Sequence, residues 1–385
     1  MSPTRSGAVS LIFPPRQDSD SIKWQRFAGK DVLPLWIADS DFAAPLCVTE
    51  ALQARISHGV FGYGETPQEL SELIVERLWQ RYDWRITADD IVYLPGLVTA
   101  LHLAVQTLTQ PNDAVFCPTP IYPPFRQAIK QHGRDGVFQD CHTVDGRWLP
   151  QLPSHAKAKD IRLAMVCNPL NPGGTVFRRD ELLKLDALAK TNDWIVCSDE
   201  IHCDLLIDEN ARHIPYASLN DDAAQRAITL MAPSKTFNIA GLGCAFAVIQ
   251  NPTLRRQIQQ ALEGLIPAVN ILGFHAAIAA YRHGDDWLQQ QLAFLRQQHQ
   301  KVLDAVNALP GLSMLPNEAT YLAWIDASQL NHPNPSRLFE QFGLGLSPGS
   351  AFGNRQFVRL NFACSDEVLD QALTRLRAAV GSLAN

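Results

Sequence analysis

The run Ala227-Ile228-Thr229-Leu230-Met231-Ala232-Pro233-Ser234-Lys235-Thr236-Phe237-Asn238-Ile239-Ala240-Gly241-Leu242 sets a lysine just behind an apolar stretch. Residues 227–231 have the length and composition of a buried strand. In open α/β sheets ligands bind beyond the carboxyl ends of strands, so the residues that follow such a run are where chemistry is sought. A lysine placed there loses hydration. Desolvation lowers its pKa and leaves a neutral amine able to attack a carbonyl and form an imine. An ordinary loop lysine is the alternative reading, and the company Lys235 keeps decides between them.

Outward from this run, the pattern from about 90 to 250 alternates short apolar stretches with amphipathic ones, the signature of βαβ units and a mostly parallel sheet. Strands are predicted at 91–94, 114–117, 162–167, 194–198 and 227–231, with a further apolar run at 244–249. Helices are predicted at 99–108, around Ala128 and Ile129, and at 180–190 with Leu182, Leu185 and Leu188 on one side. The remainder reads differently: a long amphipathic helix at 287–309, strands at 320–325 and 357–362, and a closing helix from Asp366. Ser365 is its N-cap, Asp366 and Glu367 sit in its first turn, and Val368, Leu369, Ala372, Leu373, Leu376, Ala379 and Val380 form its buried stripe. At 385 residues the chain exceeds what one core usually serves. The expected fold is α/β, with a large domain over 51–275 and a smaller α+β domain over 276–385 that the N-terminal segment 1–50 joins.

Composition narrows the function classes. The formal charge is −6 and 46% of residues are apolar, a soluble globular profile. There is no basic run and no zinc-ligand spacing, which argues against a nucleic-acid surface or a metal. No stretch reaches the roughly 18 to 20 apolar residues of a membrane span. Arg5, Pro14, Pro15 and Arg16 surround only a short apolar piece at 8–13, unlike a signal peptide, so a cytoplasmic location is expected. The eight cysteines (47, 117, 141, 167, 197, 203, 244 and 364) form no Cys-x-x-Cys, and several lie in apolar runs, so they read as reduced packing residues.

Polar residues follow the apolar runs in four places: Pro95-Gly96-Leu97-Val98, Asn168-Pro169-Leu170-Asn171-Pro172-Gly173-Gly174, Asp199-Glu200-Ile201-His202, and Lys235. The Gly96 turn leads into a helix whose free N–H groups and positive dipole end suit a phosphate. Each feature has a plain alternative: a strand end, a turn, a helix cap. Their joint order matches what a pyridine-aldehyde cofactor needs. Asp199 keeps a ring nitrogen protonated, Asn171 donates to the phenolate oxygen, Lys235 forms the imine, Ser234 and the Gly96 turn hold the phosphate, and Tyr122 stacks on the ring. Rival motifs fail: a Walker loop ending at Lys235 needs glycines where Thr229 and Ser234 stand, and the two glycines of Gly241-Leu242-Gly243 precede an apolar run in place of a helix.

At this point nearly the whole chain resembles the pyridoxal 5′-phosphate enzymes of class I/II with the aspartate aminotransferase fold. Within them it is most similar to the cystathionine β-lyase group of the MalY/PatB type. The closer likeness lies in Leu33-Pro34-Leu35-Trp36-Ile37-Ala38-Asp39-Ser40-Asp41-Phe42, Val60-Phe61-Gly62-Tyr63, Ser198-Asp199-Glu200-Ile201-His202, Ser234-Lys235-Thr236-Phe237-Asn238, Thr320-Tyr321-Leu322-Ala323-Trp324 and Phe357-Val358-Arg359-Leu360-Asn361. The resemblance implies a seven-stranded, mostly parallel sheet and a homodimer with active sites at the subunit interface, where Tyr63 reaches the neighbour's phosphate. It further implies that Arg359 grips the substrate carboxylate, bidentate as a guanidinium allows, and that Ala38 brings backbone against the same group.

Four positions depart from the family pattern. Gly173 replaces a threonine, Ala232 a phosphate-binding hydroxyl and Ser40 a methionine, while His202 stands where many aminotransferases carry a tyrosine, which places it near the ring. The activity implied is β-elimination from cystathionine or another cysteine S-conjugate, giving thiol, pyruvate and ammonia. Transamination shares every step through the carbanion and stays open, as does a regulatory protein that retains the cofactor.

Overall fold

The structure, a computed structural model, describes residues 11–154 and 160–383. Residues 1–10, with Arg5 and the start of the apolar piece at 8–13, lie outside the described residues.

The large sheet is built from β1 (Ile91–Leu94), β2 (Ala114–Thr119), β3 (Asp135–Val144), β4 (Arg147–Pro150), β5 (Ile161–Cys167), β6 (Ile195–Asp199), β7 (Ala227–Met231) and β8 (Ala245–Val248). Their order in space is β1-β8-β7-β6-β5-β2-β3-β4. Strands β3, β2, β5, β6 and β7 are mutually parallel, while β8 runs antiparallel to both β7 and β1. It follows that β1 points the same way as the parallel block.

The sheet has eight strands where seven were expected. The added one arises because β3 turns back through Asp145 and Gly146, both at positive φ (49° and 73°), into the antiparallel β4. A two-residue Asp-Gly connection with that geometry is a favoured hairpin turn.

Alternation along the strands feeds two cores. Val115, Cys117, Leu163, Met165 and Cys197 pack on one face, and Ala114, Phe116, Ala164, Val166 and Val196 on the other. The predicted helix at 99–108 is Leu97–Leu108, two residues longer at its start, and that at 180–190 is Arg179–Asn192.

The C-terminal part carries its own antiparallel sheet, made of β9 (Ser313–Met314), β10 (Leu322–Asp326), β11 (Ser347–Pro348) and β12 (Phe357–Asn361) in the order β9-β10-β12-β11. Leu33–Pro34 pairs in parallel with Leu344–Gly345, which ties the N-terminal segment to this part. The boundary placed at residue 275 falls inside the helix Ile271–His283, whose Phe274 and Ala277 pack against the large sheet while Ala276, Ala279 and Ala280 join the C-terminal core. The closing helix is Asp366–Gly381, and the Ser365 side chain accepts from the Val368 N–H as its N-cap. All eight cysteines are free thiols.

Candidate active site

Register aligns the carboxyl ends of the central strands. Cys167 sits beside Asp199, and Asp199 beside Leu230. The turns leaving these ends, with the start of Leu97–Leu108, enclose a cavity of about 350 Å³. Gly96, Leu97, Val98, Tyr122, Asn171, Asp199, His202, Lys235, Arg359 and Ala38 all line it. Ten positions chosen from sequence, spread over more than 300 residues, thus meet in one place. Two do not: Ser234 precedes Lys235 but is outside the lining, and Tyr63 stands fully exposed at the surface.

Lys235 follows β7 through a turn and points its Nζ at the Ala38 carbonyl oxygen, 2.6 Å away. Burial lowers its pKa to about 8, with Asp39 pulling it up and Arg359 pushing it down. Asp199 ends β6, 5% exposed, and accepts the Ile201 N–H at 3.1 Å. Burial raises its carboxyl to about 7, against that hydrogen bond. Burial outweighs the pull of Lys235, and among the described residues no cation forms an ion pair with this carboxyl. His202 is driven the other way, to about 3, by burial and then by Lys235 and Arg359, so its ring is neutral. Its buried Nδ1 has no protein partner.

Arg359 rises from β12. Its guanidinium donates to Asn171 Oδ1 (2.9 Å), to the Trp36 carbonyl (2.9 Å) and to Ser347 Oγ (3.4 Å), and lies over the Phe352 ring at 4.6 Å. Burial lowers its pKa to about 10, and its Nε is left without a partner. Tyr122 caps the helix Pro123–Gln131, and burial raises its hydroxyl pKa.

The segment 36–42 closes the cavity although it forms no strand. Its carbonyls are held by side chains from distant elements: Trp36 by Arg359 and Ser347, Ile37 by Asn361, Ala38 by Lys235, Asp39 by Lys23 and Asn361, Ser40 by Arg16 and Asn238, and Phe42 by Asn238. Lys23, wholly buried, also pairs with Asp41 at 2.7 Å.

Sequence reasoning missed Ile37, Thr99, Cys167, Ile201 and Ala240 in the lining, and Trp36 and Ser347 as supports of Arg359. Thr99 had a signal: moving the helix start back to Leu97, next to Gly96, places it in the first turn. The Ser347 to Trp36 contact spans 311 residues and leaves no local trace.

Pyridoxal phosphate fits this donor set on three counts. Asp199 has no ion-pair partner among the described residues, the Leu97–Leu108 N-terminus has no side-chain cap for its first N–H groups, and a Cβ added at Gly96 would enter open space. Gly96 itself is extended (φ 177°), so this openness, and not backbone freedom, distinguishes it. A second hollow of about 300 Å³ is walled by Phe116, Val166, Phe177, Leu182 and Leu185, with His142, Gln151, Glu181 and Lys184 also in its lining, and lies away from the carboxyl-end turns that carry Asp199 and Lys235.

The comparisons with known proteins agree. The family described as aminotransferase class I and II matches residues 30–376. Cystathionine beta-lyase PatB of Bacillus subtilis is 34% identical over 379 residues, covering 95% of this chain and 98% of PatB. The crystal structure of OvoB superposes with a TM-score of 0.95 at 47% identity, over 97% of this chain and 98% of that one. The pyridoxal-phosphate-bound C-S lyase of Staphylococcus hominis gives 0.89 at 28% identity, over 97% and 99%. With the cavity, its donor set and these full-length matches in agreement, the chain belongs to the class I and II aminotransferase family and takes pyridoxal 5′-phosphate as its cofactor.

Proposed function

We propose that this protein is a carbon–sulfur β-lyase acting on cystathionine or related cysteine S-conjugates, with release of a thiol, pyruvate and ammonia. The observation that carries this reading is the meeting of the Lys235 amine, the Asp199 carboxyl and the Arg359 guanidinium in one cavity. The full-length likeness to PatB, a cystathionine beta-lyase, points to sulfur as the leaving atom.

Bound in this cavity, pyridoxal phosphate supplies an electron-withdrawing ring that stabilises negative charge at the substrate α-carbon. The chain's own residues do the rest. Arg359 offers a guanidinium edge, its Nε unpartnered, to the substrate carboxylate and fixes the amino acid in one orientation. Lys235, its pKa lowered to about 8, takes the α-proton on Nζ. Asp199 would hold the ring nitrogen of the cofactor as a carboxylate facing a proton, and the N–H groups at the start of the Leu97–Leu108 helix would hold its phosphate. Tyr122 and Ile37 screen the reacting atoms from water. Charge is conserved: the C–S bonding electrons leave with the thiolate, the α-proton leaves to Lys235, and hydrolysis of the remaining three-carbon fragment gives pyruvate and ammonia.

Besides Arg359 and Lys235, the cavity walls carry no cation among the described residues. A substrate whose side chain carries no net charge, as in S-methylcysteine or the zwitterionic far end of cystathionine, therefore suits the site better than aspartate or glutamate. The family also contains aminotransferases, in which no leaving group is lost. Incubation with cystathionine and with S-methylcysteine separates the two. Pyruvate and free thiol in equal amounts support the lyase, and pyridoxamine phosphate without pyruvate overturns it.

The reading includes a homodimer. Val60 and Phe61 stand 61% and 58% exposed next to the fully exposed Tyr63, an apolar arm suited to a second copy of the chain. In that assembly Tyr63 completes the neighbour's phosphate site.

A further inference from the structure

Next to Asp199 stands a second carboxylate that lines no part of the cavity. Strand alternation sends the side chains of Ser198 and Glu200 to the sheet face opposite that of Asp199, where Tyr216 packs. Glu200 is wholly buried. Its Oε1 accepts from Ser198 Oγ at 2.8 Å and from the Tyr216 N–H at 2.9 Å, and its Oε2 meets His213 Nε2 at 2.7 Å. With the ring proton of His213 on Nε2, the tautomer that leaves no N–H stranded at Nδ1, three donors converge on one carboxyl, an arrangement suited to an ionised group.

His213 is buried too, and its Nδ1 has no hydrogen-bond partner among the described residues. A second proton on that ring would bury an unsatisfied N–H, which the interior disfavours. The pair therefore holds one net negative charge. The ionisable groups around the pair are Tyr82, whose ring edge meets His213 at 5.3 Å, Asp186, which accepts the Tyr216 hydroxyl at 2.9 Å, and the buried thiols Cys167 and Cys203. The arginines that act on Tyr82 and Tyr216, Arg77 and Arg226, are paired with Asp204 and Asp222.

A chain that needed only to tie residues 213–216 to β6 could do so with a neutral side chain. A buried charge one residue from Asp199 acts on the cavity. With burial the larger influence, it helps hold the Asp199 carboxyl up, and the same negative potential favours a cation placed against Asp199.

We propose that Glu200, kept ionised by Ser198, Tyr216 and His213, is a positioning residue that backs Asp199 electrostatically and biases the cavity toward a protonated ring nitrogen. This rests on the pyridoxal phosphate reading. Its test uses the holoenzyme and the visible absorption band of the bound cofactor, titrated between pH 5 and 10. Replacing Glu200 with Gln removes the charge at nearly constant shape, and the band's midpoint is expected to fall by about 0.5 to 1 pH unit, with cofactor lost several-fold faster on dilution. Ser198→Ala removes one of the donors to Glu200 but no charge, so it lowers the melting temperature and moves the midpoint by less than Glu200→Gln does, and a shift as large as that of Glu200→Gln overturns the proposal. If Glu200→Gln does not fold, Glu200→Met, which also removes the charge, takes its part, and the midpoint drops the same way. A folded Glu200→Gln or Glu200→Met holoenzyme with the wild-type midpoint overturns the proposal and leaves the cofactor assignment intact. A wild-type protein that develops no band with pyridoxal phosphate overturns both.

Discussion

At Lys235 the whole chemistry narrows to one nitrogen, and its environment makes a pH-dependent prediction. An amine whose pKa is lowered from 10.5 to about 8 is protonated below that value and neutral above it. Since only the neutral form attacks an aldehyde, reconstitution of the cofactor-free protein should accelerate with pH, level off above about 8, and run about a hundredfold slower at pH 6. Stopped-flow absorbance would measure this. Lys235→Ala should give no covalent band and lose turnover by several orders of magnitude. Arg359 makes a second, independent claim. Its fork reaches Asn171, Trp36 and Ser347 together, and lysine cannot reproduce that geometry, so Arg359→Lys should raise KM and lower kcat/KM by about ten- to a hundredfold. An unchanged KM would remove Arg359 from carboxylate binding.

Among the elements, the caps make the cleanest test because they touch no substrate. Ser365 accepts the Val368 N–H at 3.3 Å at the start of Asp366–Gly381, so Ser365→Ala should cost about 1 kcal/mol in chemical denaturation and leave kcat/KM unaltered. That helix was legible because its stripe is strongly periodic and its cap is a serine before two acids. The core strands were legible for a similar reason: β1 and β7 are apolar runs at the ends of which the chain must turn. Strand β3 was not. Cys141 is its one fully buried residue, and Asp135, Gln139, Asp140, His142 and Thr143 make it look like loop. Its partner β2 and the Asp145-Gly146 turn hold it in the sheet, and pairing of that kind is tertiary. The site divides along the same line. Groups at strand ends could be read from where the apolar runs stop, whereas Ile37, Trp36 and Ser347 are brought in by contacts no local pattern encodes.

For the whole molecule, the assembly expectation is quantitative. Two copies of the 42.7 kDa chain should elute together, and placing a charge in the exposed arm, Phe61→Asp, should yield a monomer that releases pyridoxal phosphate faster, as light scattering and dialysis would record. A variant that remains dimeric would place the interface elsewhere. The lattice around residues 36–42 has a different kind of consequence. Ile37 is held by Asn361 and Trp36 by Arg359, so a wall of the cavity is fastened by residues synthesised more than 300 positions after it. A ribosome-bound chain can form much of the large sheet yet cannot close this cavity until residues 359–361 have emerged to hold the segment made more than 300 residues before them.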